Sequence, residues 1–242
     1  MRSVANPEAL LASAEKLASE GGTGFLLSGG CDGEGRVPLM PFVEAVATAR
    51  SRWGLKANLH PGLLGRSDAA TLARSGAEFY SVDLHQNEDV IHDVLHLKVP
   101  PSAYRLTMEA LISAKAGAIV PHVTVGLDED GSDAFDSIDL ASSFEVDGLV
   151  VLVFTPLKGT AMASKPPPPN ELVLKVLDEA KSRLRCSIAL GCVRPRRNYS
   201  LEISAIKRGI RHVAMPTKGA VEWAFEHGLL VERIERCCAV HL

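Results

Sequence analysis

The feature that most restricts the fold of this chain is a grammar repeated along it: a short continuous apolar run, a glycine or polar residue at its end, then a stretch with helical periodicity. The apolar runs at 25–27, 55–59, 78–84, 118–125, 148–154, 187–190 and 212–215 read as strands. They are continuous rather than alternating, as expected when both faces of a parallel sheet are covered. Asn6-Pro7-Glu8 starts a helix that runs to residue 19, a second starts at Pro38 or Pro41 and runs to about Trp53, and further helical patterns occupy 67–75, 88–97, 102–116, 132–143, 170–184 (with Asn170 as its cap), 201–207 and 218–227. Seven strand-helix units follow. A full barrel of eight such units typically takes about 250 residues. A chain of 242 residues that opens on a helix therefore reads as α/β, a partial TIM-type (β/α) barrel of about seven parallel strands with its first βα unit missing. A doubly wound open sheet is the alternative, but no G-x-G-x-x-G lies between a strand and a helix to support it.

Composition narrows the partners. A net charge of -3, with 23% charged and 46% hydrophobic residues, describes a globular protein without the basic excess that nucleic acid requires. The longest apolar run, 149–157, falls short of the roughly 20 residues that span a bilayer, and the N-terminus shows no cleavable signal pattern. The expectation is a cytoplasmic protein acting on a small-molecule or acyl or protein-bound substrate, away from nucleic acid and membrane. Residues 1–228 form the barrel and 229–242 a C-terminal tail. An open sheet edge would favour a homodimer or a partner subunit. The five cysteines, Cys31, Cys186, Cys192, Cys237 and Cys238, are odd in number and contain no C-x-x-C pair, so a disulfide framework is not expected.

In a barrel the carboxyl ends of the strands face the active site. That rule gathers Ser28-Gly29-Gly30, His60, Asp83 with His85, His122, Gly126, Thr155, Cys192 with Arg194, and Thr217 at one mouth. Any one of these alone is weak evidence, since a lone strand-end histidine is more often a paired structural group; their shared placement is the signal. The glycines after Leu27 let the backbone turn sharply and approach a ligand closely. Three imidazoles at His60, His85 and His122 would also suit a metal centre by the ligand logic of zinc. His92 and His96, at helical i, i+4 spacing but with no HEXXH glutamate between them, read as surface residues.

Several motifs together resemble the radical S-adenosylmethionine (SAM) superfamily: Leu26-Leu27-Ser28-Gly29-Gly30, the 38–42 segment Pro-Leu-Met-Pro-Phe, Asn58-Leu59-His60-Pro61-Gly62, the helix at 104–111 before Gly117, and the 121–127 segment Pro-His-Val-Thr-Val-Gly-Leu. Within it the chain is similar to the biotin synthase-like group that includes archaeal-type lipoyl synthases. The resemblance spans nearly the whole chain. It implies SAM as cofactor, with the methionine amino group at Ser28, Gly29 and Gly30 and the methionine carboxylate at Arg105. It also places the adenine near Gly126 and Leu127, in the motif that holds His122. His60, Asp83, His85, Thr155 and Arg194 then become substrate-side candidates. It implies 5′-deoxyadenosyl radical chemistry at a [4Fe-4S] cluster, with sulfur insertion as one outcome.

The departure from that family is large. Its cluster is held by a C-x3-C-x2-C loop after the first strand, and no three cysteines here have that spacing. The chain would then be inactive in this form, or a cluster-free SAM-binding or small-molecule-binding partner subunit. Some members of the family carry an auxiliary cluster, and by that resemblance Cys192, Cys237 and Cys238 are candidate thiolate ligands. The tail is expected to carry its two cysteines back to Cys192 by packing Leu229, Leu230, Val231 and Ile234 on the barrel.

Overall fold

The computed structural model describes residues 3–240. Among them, seven strands form a parallel sheet in sequential order: β1 (Gly24–Leu27), β2 (Lys56–Leu59), β3 (Phe79–Asp83), β4 (Ala118–Val125), β5 (Gly148–Val153), β6 (Ser187–Leu190) and β7 (His212–Val213). Helices precede the sheet and lie between its strands: α1 (Pro7–Ser19), α2 (Val43–Trp53), α3 (Arg66–Ala73), α4 (Ser102–Ser113), α5 (Ser132–Ser142), α6 (Asn170–Arg183), α7 (Tyr199–Lys207) and, after β7, α8 (Lys218–Glu226). The unbroken order of parallel neighbours is the winding of a partial (β/α) barrel; a doubly wound sheet would reverse direction within the order. The seven-strand expectation holds.

Contacts along the chain cluster into two compact units, Met1–Val82 with Ile91–Val120 and Asp83–Val90 with Pro121–Leu242. In the first, α1 begins as its sequence dictates: Asn6 Oδ1 accepts the Ala9 amide at 2.8 Å and Pro7 takes the first turn. Helix α2 stops at Gly54, which adopts φ 66°. Ala14, Ala49 and Leu55 form a buried cluster covered by Leu17, Ala18, Phe25 and Trp53. Strand register is fixed from Gly24 opposite Lys56 to Leu27 opposite Leu59. In the second unit β4 pairs with β5 from His122 opposite Val150, and β5 with β6 from Gly148 opposite Ser187. Val123, Val125, Leu149, Val150, Val151 and Leu190 are buried, which explains the unbroken apolar runs.

Four sequence expectations are corrected. The helix expected at 88–97 shrinks to a single wide turn, Val90–Val94, and His96 takes φ 56°, so His92 and His96 do not share a helical face. Asn170 does not cap α6. Pro169, with φ -59° and ψ 143°, occupies the cap position, while the Asn170 amide pairs with Asn198, whose Nδ2 donates to Asn170 Oδ1 at 2.6 Å. The last strand ends at Val213, because Met215 turns to φ 46° before Pro216. The tail is not anchored by its large apolar residues: Leu229, Leu230 and Ile234 are 43%, 99% and 41% exposed, whereas Ala239 and Val240 are buried. Residues 241–242 of the expected tail lie outside the described residues.

Candidate functional site

In the first unit, Ser28, Gly29 and Gly30 follow β1 directly and are exposed. The loop beyond them is shaped locally. Asp32 Oδ1 accepts the amides of Glu34 at 2.9 Å and Arg36 at 3.0 Å, an aspartate turn. The same loop is clamped to the end of β2, where the Val37 amide donates to Pro61 O and the Leu63 amide to Gly35 O, both at 2.9 Å. Gly62 is obligatory in that clamp, since it has φ 69° and a Cβ there would stand 2.1 Å from Gly35 O. Gly30 is different. Its φ lies outside the left-handed range, and a Cβ there would meet no atom within 4 Å. Neither turn geometry nor packing requires glycine at that position. Ser28 also borders an apolar cavity of about 540 Å³ between α1 and β1, lined by Leu10, Leu17, Phe25, Leu26 and Leu27 among others.

Two more candidates belong to this unit. His60, half-buried, follows β2 and its amide donates to Leu27 O at 2.9 Å. Arg105 is exposed on the first turn of α4.

In the second unit, Asp83 is the last residue of β3 and is half-buried. His85, two residues on, is buried with Nδ1 2.7 Å from Asp133 Oδ2. The other oxygen of Asp133 accepts the amides of Gln86 at 2.6 Å and Asn87 at 2.9 Å. A carboxylate only accepts, so Nδ1 of His85 carries the hydrogen of this bond. Asp133 is itself fixed by Asp128, whose Oδ2 accepts the Asp133 amide at 2.7 Å and the Ser132 hydroxyl at 3.0 Å. His122 sits inside β4, not at its end, and is 7% exposed. Gly126, immediately after β4, has φ 98°, and a Cβ there would lie 2.7 Å from the Pro168 ring. Leu127 is buried, and its carbonyl accepts Lys165 Nζ at 2.5 Å. Thr155, past the end of β5, turns its hydroxyl back to Val153 O at 3.1 Å.

The loop after β6 holds two different chemistries. Arg194 is 3% exposed and spends its guanidinium on protein groups: Nε and Nη2 donate to Glu202 Oε1 at 3.2 and 2.6 Å, Nη1 to Gly191 O and Nη2 to Met215 O. Glu202 Oε2 in turn accepts the amide and hydroxyl of Thr217 at 2.7 and 2.6 Å, and the Thr217 hydroxyl oxygen accepts the Ala220 amide to cap α8. Cys192, two residues before Arg194, meets the tail. Its thiol interacts electrostatically with the Cys238 thiol, and Cys238 with Cys237 as well. The interaction with Cys238 holds the Cys192 thiol well below its ordinary value, at about 6, while the same interaction and the one with Cys237 push Cys238 upward. Among the described residues, however, no group of three His, Cys, Asp or Glu side chains is arranged to hold a metal ion. This applies to the three thiols and to the proposed trio His60, His85 and His122.

Sequence reasoning missed Asp133 and Glu202. An acid in the first turn of a helix reads as a partner of the helix dipole, which is how Asp133 looks in the chain. Glu202, buried in α7, leaves no local trace.

No family model matches the chain, and no curated protein matches it in sequence. Solved structures do match. Over 96% of this chain and 75% of the other, it is similar to methylornithine synthase (PylB), with a TM-score of 0.65 and 16% identity. The [FeFe]-hydrogenase maturase HydG from Carboxydothermus hydrogenoformans matches over 99% of this chain and 62% of its own, with a TM-score of 0.67 and 16% identity. The likeness is one of fold. The same fold extends, at a TM-score of 0.54 and 12% identity, to the carboxyl transferase domain of Rhizobium etli pyruvate carboxylase, which covers 90% of this chain and 40% of that one. One barrel scaffold thus hosts unrelated activities, and function has to be argued from the site. The chain spans between half and three quarters of the length of the PylB and HydG structures. No helix among the described residues is long and apolar enough to cross a membrane.

Proposed function

We propose that this chain is the barrel of a radical SAM enzyme of the biotin and lipoyl synthase type, with the Ser28-Gly29-Gly30 turn receiving the amino group of the methionine moiety. Its structural neighbours at TM-scores of 0.65 to 0.68, PylB and HydG, are radical SAM enzymes. The observation that carries the reading is Gly30: a glycine at a strand end that neither backbone strain nor packing demands, beside open space. A side chain there would cost the fold little and a ligand much. Ser28, Gly29 and Arg105, all on the first unit, are the residues assigned to SAM. On the second unit, Asp83, His85 and Thr155 are assigned to a small-molecule, acyl or protein-bound substrate, and Arg194, bound to Glu202, to positioning the loop after β6.

The residues of this chain do not fit the [4Fe-4S] cluster that such chemistry uses. The five cysteines lack the C-x3-C-x2-C spacing, and no three ligating side chains are arranged for a metal among the described residues. That observation favours a second reading, a cluster-free barrel that binds SAM or a related small molecule and works beside a partner subunit.

Titration calorimetry with SAM tests the first claim. The parent chain should bind, and Gly30→Val should lose at least about tenfold in affinity, some 1.4 kcal/mol, with an unchanged unfolding midpoint. Equal affinities would remove Gly30 from the site, and no binding by the parent would remove SAM. Anaerobic reconstitution with iron and sulfide separates the two readings: SAM binding without iron uptake supports the cluster-free protein, and stoichiometric iron supports the enzyme.

A further inference from the structure

A second cavity, of about 280 Å³, lies at the amino ends of β6 and β7, between the turn that leaves α6 and the turn that leaves α7. It is at the opposite end of β6 from the loop that carries Arg194. Its lining is basic. Lys181 comes from the last turn of α6, Arg185 from the turn into β6, Arg211 from the turn into β7, and half-buried His212 opens β7 itself. Among the described residues no aspartate or glutamate lines it. In a chain whose net charge is -3, that is a local reversal of sign.

The acids around the cavity are occupied by other cations. On α6, Asp178 Oδ2 accepts Arg208 Nε at 3.1 Å and Glu179 Oε1 accepts Arg183 Nε at 2.7 Å; neither arginine lines the cavity. Asp139 also reaches Arg183, at 3.4 Å. Asp147, exposed just before β5, acts on Cys186 and so offsets part of the excess. Arg185 and Arg211, by contrast, are exposed and have no ion pair or side-chain hydrogen bond among the described residues. Lys181 is held in place, because its Nζ donates to Arg208 O, and that bond spends one of its three donors. Gly209 keeps the space beside it open. It takes φ 83° in the turn after α7, and a Cβ there would stand 3.1 Å from Lys181 Nζ.

We propose that this cavity binds the phosphoryl group of a small molecule through Arg185, Arg211 and Lys181. Each guanidinium is a planar fork of N–H donors that stays charged and matches two oxygens of a phosphate, while the ammonium adds a point charge. A carboxylate brings two oxygens and one charge, too few for two forks and an ammonium. A phosphoryl group brings three acceptor oxygens and up to two charges. The Ser187 hydroxyl lines the same space as a further donor. Nucleic acid fits less well, since the cations sit on two short turns and form no stripe along a face. None of these residues is assigned to SAM or to its substrate, so the proposal stands or falls independently of that reading.

Titration calorimetry of the whole chain with inorganic pyrophosphate tests it. The parent should bind one pyrophosphate with a Kd tighter than about 1 mM. Arg185→Ala and Arg211→Ala should each weaken binding about tenfold, the scale of a charge-assisted contact, with the parent's unfolding midpoint. Arg185→Lys, which keeps the charge and loses the fork, should fall between parent and alanine variant. Arg183→Ala removes a cation outside the lining and should change affinity less than about twofold at physiological salt. Inorganic phosphate and glycerol phosphate as competitors identify the source: tighter binding of the ester assigns the site to a phosphomonoester, and the reverse to the free anion. Absence of saturable binding by the parent would overturn the proposal, as would unchanged affinity in both alanine variants. An equal loss in Arg183→Ala would replace the site with diffuse surface charge. A short single-stranded DNA that outbinds pyrophosphate and is lost in the same variants would make the patch a nucleic-acid surface instead.

Discussion

His85 Nδ1 and Asp133 Oδ2 stand 2.7 Å apart with both side chains buried, joining the end of β3 to the first turn of α5. Asp133 also takes two backbone amides, from Gln86 and Asn87, so one carboxylate serves three donors. Asp133→Ala would leave all three without that acceptor. The expected loss is about 3–5 kcal/mol, the scale for removing one partner of a buried charged network. Chemical denaturation checks it, and a loss below about 1 kcal/mol would mean that water replaces the carboxylate.

Gly126 and Gly30 differ in what requires a glycine. With φ 98° and Pro168 2.7 Å from any added Cβ, Gly126→Ala must strain its backbone and displace the proline ring. A destabilisation of about 1–3 kcal/mol is expected. Gly30→Val, by contrast, should leave the unfolding midpoint unchanged, since nothing lies within 4 Å. Thermal unfolding of the two variants side by side tests whether one strand-end glycine serves the fold and the other the ligand.

Arg194 and Glu202 form a nearly inaccessible ion pair with Nη2 2.6 Å from Oε1. Glu202→Leu alone strands a buried guanidinium and should cost about 3–5 kcal/mol. Adding Arg194→Met removes the stranded charge, so the double variant should be more stable than the Glu202→Leu single. A double variant no better than the single would show that the Arg194 bonds to Gly191 O and Met215 O matter more than its charge.

Glu78 links stability to pH in the first unit. Burial alone would raise its carboxyl, but the Arg50 guanidinium, with Nη2 2.6 Å away, and the Ala57 amide at 2.9 Å hold it below its ordinary 4.5. A folded-state value lower than the unfolded one contributes stability above about pH 4.5 that is lost as pH falls through the folded value. Glu78→Gln should therefore cost about 1 kcal/mol at pH 7, a modest figure because the pair is partly solvated. The gap between parent and variant should narrow as the solution is acidified below pH 4.5. Denaturation midpoints over that range check the sign; a gap that widened in acid would exclude the linkage.

The sequence by itself determined the sheet. Seven continuous apolar runs separated by helical periodicity admit little besides a parallel α/β winding, because both faces of every strand must be covered. Asn6 and Gly54 marked their helix ends through chemistry that acts within a few residues, whereas Thr217, read as a strand-end residue, caps α8. Where partners beyond the reach of a single helical turn decide the outcome, local signals failed. Residues 88–97 carry helical periodicity, yet Leu97 folds back to donate to Ile91 O and His96 leaves the helical region. Asn170 has the chemistry of a cap, yet Asn198 claims its amide. The tail's large apolar residues stay exposed, and the small Ala239 and Val240 find the buried seat. Arg194 looks like a strand-end ligand group until Glu202, eight residues on and one helix away, neutralises it. The cysteines could be enumerated from the chain, but only the tertiary structure brings the Cys238 thiol to bear on Cys192, because that interaction joins segments far apart in the sequence.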